Sequence, residues 1–455
     1  MKRLGSFLLL SAALLLAGCK GIQQPGERRA RGNLASVGRL YRPEGRQPAL
    51  PTLSTNGNLG ELLTYAMLNQ PQIEAAYYDW SSSVEKITVE RSMPDPKLTF
   101  QAYITSVLTS LMPGLMQDIP GPGKLKAAAR VAAAESNAKY FAFETAVLRA
   151  AFSVKQAYYQ LWFLDEKIRI SRQMLALLTD LEKSARARNE VAQVTLQDVY
   201  RAQIEQDKVA NEIFNLEHSR HQLMAQLKGA LGLTREQPDP PVPTRFESTT
   251  LELDGGALLD TAFARNPRLK AMEAEVRLAE AMIALAGKSK VPNFSAGLQA
   301  EVYTPPFYWP QGSMSVPLWR DKIAAQIAAA QAGKRAAEAR LTTEQIMLTV
   351  DFAMKTHDYS EITRNLALLQ DKLIPKAGKS LEIARAGYMS GQVDFFNLID
   401  AEHSLLDFQL AEVDARTRRE IILADLSLSV AGIAPEGAPI LPPSPNNPYS
   451  INLKH

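Results

Sequence analysis

The chain has 455 residues, 51 Lys and Arg against 48 Asp and Glu, and 46% hydrophobic residues, for a formal net charge of +3. So long a chain can bury a large core, and so even a charge balance gives no footing for binding nucleic acid. With one cysteine, no intramolecular disulfide is possible.

The N-terminus reads as a secretory signal over residues 1–18: Lys2 and Arg3, then the apolar run 7–17, then Leu16-Ala-Gly before Cys19. That run is too short to span a bilayer. Its removal lowers the formal charge from +3 to +1, because Lys2 and Arg3 leave with it. Leu16-Ala-Gly-Cys19 resembles a bacterial lipobox, which implies that Cys19 is acylated. By the same resemblance Lys20, in place of Asp, implies sorting to the outer membrane. Residues 19–58, rich in Gly, Pro, Arg and Ser, read as a tether from lipid to body.

From residue 59 the chain is written twice, at a spacing of about 200. Ala66-Met-Leu-Asn-Gln-Pro71 returns as Ala262-Phe-Ala-Arg-Asn-Pro267, Ile119-Pro120 as Val316-Pro317, "VTLQDVYRAQ" (194–203) as "VDFFNLIDAE" (393–402), and Leu231-Gly-Leu233 as Ala431-Gly-Ile433. A duplicated supersecondary unit implies two quasi-equivalent halves. They cover 59–233 and 256–433, joined by a linker 234–255 and followed by a proline-rich tail 434–455.

Each half opens with a helix and continues with alternating segments, about 96–119 in the first and 293–317 in the second, each near the 9–11 residues a tilted membrane strand needs. "TPPFYWPQG" (304–312) reads as a turn carrying an aromatic belt, and in the first half the return strand is expected only after Met112-Pro-Gly. Four strands cannot close a barrel, and open edges are not tolerated in lipid, so strands must be shared: two chains give eight, three give twelve.

From Lys124 to Lys228 there is no Gly or Pro. Leu161, Leu164, Ile168, Leu175 and Leu178 then fall at coiled-coil spacing, which predicts helix broken only by a turn at 189–198, with Thr195 or Asp198 as cap. The second long helix, about 319–388, should kink at Pro375 and turn at 388–400, where Gly387 and Gly391 frame the reversal.

With these residues in view the chain resembles the TolC-like outer-membrane efflux proteins over about 59–433, most specifically in "ARAGYMSGQVDFFNLIDAE" (384–402). The resemblance implies a mainly α fold with transmembrane β: a trimeric twelve-stranded outer-membrane barrel continuous with a long α-helical coiled-coil periplasmic tunnel, internally duplicated, with an equatorial belt and closed helical tips. It implies a homotrimer in outer-membrane lipid, working with a periplasmic adaptor protein and an inner-membrane pump of the resistance-nodulation-division type. The function implied is a passive exit duct for drugs or metal cations, of a Gram-negative bacterium. The duct of a type I protein secretion system, or a coiled-coil scaffold lipoprotein without a pore, are the rival readings.

At the tip, the family's paired acids fall at Asn397 and Asp400, so one of the two is missing; Asp198 is the first-half counterpart of Asn397. These three residues are the expected pore gate, with Gly387, Tyr388, Gly391, Val393 and Val194 as the tip turn where an adaptor docks. An arginine that pairs with the tip in some relatives falls at Val393, so that lock is absent or different. His218 and His221 stand one turn apart without further ligands, Met112, Met116 and Met314 fit apolar strands, and no catalytic constellation is found. No metal, no cofactor and no enzymatic activity are expected.

Overall fold

The computed structural model describes residues 23–53, 57–104, 108–242, 255–301 and 307–433. Cys19, the tail 434–455 and most of the linker 234–255 lie outside the described residues. The chain divides into two compact units, one of residues 1–39, 75–144 and 267–345, the other of 40–74, 145–266 and 346–455.

The first helix, α1 (Pro25–Tyr41), occupies much of the expected tether. Pro25 starts it, where a missing N–H costs nothing. Of the glycines that look like linker composition, Gly38 allows close packing instead: a Cβ there would stand 2.8 Å from the Tyr77 hydroxyl. Glu27 is fully buried and ion-paired to Arg31 (3.2 Å) and Arg91 (2.9 Å). A buried carboxylate held by two guanidiniums is costly to separate, so this part of the tether belongs to the folded body.

Helices α2 (Leu59–Asn69) and α3 (Pro71–Arg91) follow. Trp80 of α3 stacks on Phe143 with ring centroids 5.8 Å apart, and Tyr140 lies 5.0 Å from the same indole. The second half repeats the pattern after the long hairpin α4 (Lys124–Glu190) and α5 (Leu196–Ala230), with α6 (Gly255–Arg265) and α7 (Pro267–Gly287).

The duplication has a physical reason at its carboxamides. Gln70, just before Pro71, donates to the carbonyls of Gly229 and Ala230 (2.9 and 3.1 Å), and Asn69 to those of Leu231 and Gly232 (3.0 and 3.1 Å). Asn266, just before Pro267, donates to those of Ser429 and Val430 (both 2.9 Å). The residue before each proline therefore satisfies the orphan carbonyls where a long helix ends. Gly232 and Gly432 close those ends at φ 72° and 65°, which is why both halves end in the x-Gly-x landmark.

Four strands form one antiparallel sheet in chain order: β1 (Lys97–Ile104), β2 (Leu108–Ile119), β3 (Asn293–Glu301) and β4 (Phe307–Ser315). The register places Leu98 opposite Leu115, which is opposite Leu298, which is opposite Pro310; Phe100 faces Pro113, and Ile119, Phe294 and Met314 form another row. These residues share one face, and Leu98 and Phe100 are 73% and 72% exposed in the single chain. The other face carries Lys97, Thr99, Gln101, Asp118, Ser295 and Gln299, with Asp118 accepting from Ser295 at 2.9 Å and pairing with Lys97 at 2.6 Å. One apolar and one polar face over 8 to 12 residues per strand is the membrane-barrel pattern.

Two expectations change here. β2 begins at Leu108 and runs through Pro113, ahead of the expected start; Pro113 precedes the first β2–β3 pair at Gly114, so its missing donor falls where β2 has one neighbour. Phe307, Tyr308 and Trp309 belong to β4, not to a turn. Successive side chains alternate, so only Tyr308 shares the apolar face and the three do not form one belt.

Helix α4 has 67 residues, about 100 Å at 1.5 Å per residue. Its second-half counterpart is α8 (Arg320–Leu368), a five-residue π-helical turn (Leu369–Leu373), then α9 (Ile374–Ser390) and the returning α10 (Phe395–Asp425). The wide turn lies directly before Pro375, whose ring cannot accommodate a normal i→i−4 carbonyl. No described helix is long and apolar enough to cross a membrane.

Candidate functional site: the helical tip

The reversal between α9 and α10 is built by Gly391 at φ 80°, a left-handed C-cap. The N–H groups of Gln392 and Val393 return to the Gly387 carbonyl at 2.8 and 3.1 Å. Gly387 is required for space: a Cβ there would stand 2.4 Å from Val393 Cγ2. Asp394 then caps α10 by accepting from the Asn397 N–H at 2.8 Å.

The reversal between α4 and α5 has the same course with other residues. Ala192 takes the left-handed position at φ 57°, and the N–H of Gln193 returns to the Arg188 carbonyl at 2.9 Å. Asp198 accepts from both the backbone N–H (3.2 Å) and the hydroxyl (2.9 Å) of Thr195. Thr195 and Asp198 thus share the cap.

The two turns are joined by Arg188. Its guanidinium donates to the Tyr388 carbonyl and lies over the Tyr388 ring, 4.8 Å from the centroid. A cation here meets the negative end of α9 and one of its orphan carbonyls. Beneath it an apolar cluster collects Leu181, Ala185, Val199, Ala202, Ala384, Tyr388, Phe395, Leu398 and Ala401, with Val194 packed on its edge. Tyr388 meets Phe395 edge-on at 5.6 Å.

Farther up the hairpins the layer turns polar. Glu182 accepts from Arg186 (2.6 Å) and Gln203 (2.9 Å), which hold its carboxyl below the usual range, the Arg186 bond first. His403 approaches Glu205 at 3.3 Å. Glu402 is buried with no hydrogen-bond partner at either oxygen; burial pushes its carboxyl up to about 7, against the opposing pull of Arg385.

The structure brings Gly387, Tyr388, Gly391, Val393 and Val194 together around the turns. Tyr388 is 3% exposed, so its ring serves the core of the tip and is not offered to a second protein. Asp198 is committed to its helix start, whereas Asn397 and Asp400 have exposed side chains. Arg188 was missed by sequence reasoning, which looked for an arginine at Val393. Its only signal is a basic residue in the last turn of α4, exactly the kind of position that charge alone fills in many helices. The rings of His218 and His221 are 6.3 Å apart, and no group of three metal-binding side chains occurs among the described residues.

An apolar-out strand set, hairpins of very long helices and a joined tip define a channel-forming chain, and comparison with known proteins agrees. VceC of Vibrio cholerae is similar at TM-score 0.68 and 18% identity, covering 84% of this chain and 98% of that one. CmeC of Campylobacter jejuni, an outer membrane channel, is similar at 0.72 and 13%, covering 87% and 91%. The open state of MtrE of Neisseria gonorrhoeae is similar at 0.70 and 16%, covering 86% and 97%. None of the curated proteins searched matches the chain. Residues 62–233 and 258–432 match the family described as outer membrane efflux protein, and the chain belongs to that family. It is an outer-membrane channel of a tripartite efflux system, extending into the periplasm. The channels of this family are homotrimers that work with an adaptor and an inner-membrane pump, so the four strands of each chain are a third of a twelve-stranded barrel.

Proposed function

We propose that the chain is a passive, lipid-anchored duct for small molecules, drugs or metal cations, fed by a pump of the resistance-nodulation-division type and gated at its helical tip by the adaptor. The observation that carries the gate is the Arg188–Tyr388 junction, because it ties one hairpin turn to the other through a few contacts that a partner can replace. Opening is then a rearrangement of packed hairpins between two discrete states. Gly387, Gly391, Val393 and Val194 shape the turn that the adaptor meets, and Tyr388 supports it from beneath.

Asp400 is exposed on α10, one turn beyond Asn397. Three copies around the pore axis make a ring of carboxylates that favours cations. Asp198 plays the lesser part of fixing the neighbouring turn. In planar-bilayer recordings of the trimer, Asp400→Ala weakens cation preference and Asn397→Asp strengthens it; unchanged selectivity in both removes this ring from the account and leaves the duct. Mass spectrometry of the mature protein tests the anchor: acyl chains on Cys19 are expected, and an unmodified Cys19 ends that part.

A further inference from the structure

Two aromatic rings stand on the polar face of the sheet, the face turned to the lumen. The register puts Phe307 opposite Glu301 and Trp309 opposite Gln299, and Gln299 in turn opposite Gly114 and Thr99, so all of them share that face. Around them β3 and β4 show the lumen only Asn293, Ser295, Gly297, Gln311, Ser313 and Ser315. Phe307 and Trp309 are 59% and 48% exposed, with ring centroids 5.0 Å apart and planes inclined at 56°. The Trp309 indole N–H donates to Glu301 Oε2 at 3.4 Å, which sets the indole beside the carboxylate. The amide on the strand next to Trp309 is already engaged: Gln299 is 5% exposed, accepts from Gln311 at 2.5 Å, and lies over Gly114, where a Cβ would stand 2.4 Å from its Cγ.

Position and charge define the ligand. β1 and β3 begin, and β2 and β4 end, next to the helices, so Glu301 and Phe307 stand at the opposite, outer end of the strands. The four strands contain only three charged residues, Lys97, Asp118 and Glu301. Lys97 and Asp118 pair at 2.6 Å near the helices, which leaves the outer end of the strands with one acid per chain and no base. In the trimer, three copies set three such acids and three ring pairs around one lumen. β4 meets β1 of the next copy through its backbone edge, and side chains stand perpendicular to the sheet, so the rings keep facing the lumen. The face of an aromatic ring attracts a weakly hydrated cation, and a nearby carboxylate strengthens the attraction. A small metal ion, which holds its water, gains little from such rings, and an anion is repelled.

We propose that the outer end of the lumen carries a binding station for organic cations with an apolar body, formed in each chain by Phe307, Trp309 and Glu301. The rings cover the apolar body and the carboxylate faces the charge. The proposal deepens the small-molecule reading above and rests on it.

Saturation-transfer NMR of the full-length trimer in neutral detergent tests it, with benzyltrimethylammonium and benzenesulfonate as probes and detergent alone as the blank. The expected result is that the ammonium binds about tenfold more tightly than the sulfonate. A cation–π contact at an exposed site is worth a factor of roughly two to five, so Trp309→Ala and Glu301→Gln should each weaken the ammonium by about threefold, with the trimer mass unchanged. Should Trp309→Ala fail to assemble, Glu301→Gln, which keeps the shape of the side chain, gives the same reading. Equal binding of the two probes, or unchanged binding of the ammonium in both variants, overturns the proposal. Loss of binding in Asp400→Ala instead assigns the cation to the tip and also overturns it. Conductance of the same trimers in planar bilayers reads the duct separately: a conducting trimer without this selectivity ends the station and leaves the duct, whereas selective binding to a trimer that does not conduct keeps the station and ends the duct.

Discussion

The two tip turns follow the same path with different chemistry. Gly391 sits where Ala192 sits, Asp394 where Thr195 sits, and Asn397 where Asp198 sits. In the first turn the acid is spent on its own helix start, and a non-glycine residue is held in the left-handed region. In the second turn the cap is moved to Asp394, the strain is relieved by glycine, and the side chains of Asn397 and Asp400 are left exposed. Duplication supplied two equal reversals; divergence made one a self-contained anchor and the other a turn with polar groups to spare. Arg188, from the anchor, holds the second turn in place.

The comparison can be broken most severely at the left-handed positions. Gly391→Val forces a β-branched residue to φ 80° and should lower stability by about 2–3 kcal/mol, measured by thermal unfolding of the trimer. A Cβ there meets only the Arg188 guanidinium at 3.9 Å, so the loss reflects backbone strain and should be nearly as large in Arg188→Ala. A clearly smaller loss in that background would show that crowding matters instead.

Next comes pH. Glu402 has its carboxyl raised from 4.5 to about 7, chiefly by burial. An acid whose pKa is raised on folding binds its proton more tightly in the native state, so the contribution of Glu402 to the tip's stability is fully present below about 4.5 and is lost as pH rises through about 7. Protection factors for hydrogen exchange around 388–402, taken relative to the intrinsic rate at each pH, should therefore fall between those limits, and Glu402→Gln should flatten that dependence. The same slope in the variant would assign it to another group.

A smaller effect is expected at the caps. Asp198→Ala should cost about 1 kcal/mol, and Asp394→Ala a similar amount, because each removes one helix cap. Only changes in the second turn should alter ion selectivity. The smallest effect is a gain: Ala192→Gly should stabilise the first turn by up to about 1 kcal/mol, read as a higher unfolding midpoint.

Much of the fold was legible because its signals are long. A stretch from Lys124 to Lys228 without Gly or Pro admits little but helix, and alternation over eight or more residues marked β1 and β3, whereas the start of β2 and most of β4 were not read as strand. The repeat was legible through its carboxamide-proline and x-Gly-x landmarks, which the structure explains as two ends of one set of hydrogen bonds. α1 was hidden because a glycine that permits helix packing, as Gly38 does, looks the same in sequence as one that loosens a linker. Within the site, Gly391 could be read from its turn, since left-handed backbone selects glycine. Ala192 could not, because the hydrogen bonds of the turn hold its left-handed backbone against the residue's own preference, and Arg188 acts on a residue two hundred positions away.

Single-channel recording of trimeric Arg188→Ala in planar bilayers tests the central claim most directly. If Arg188 holds the second turn against the first, the variant should show a higher resting conductance and more frequent opening than the wild type, with Arg188→Lys in between. Conductance and opening unchanged from wild type, in a variant that is still trimeric, would contradict a tip held closed by this junction.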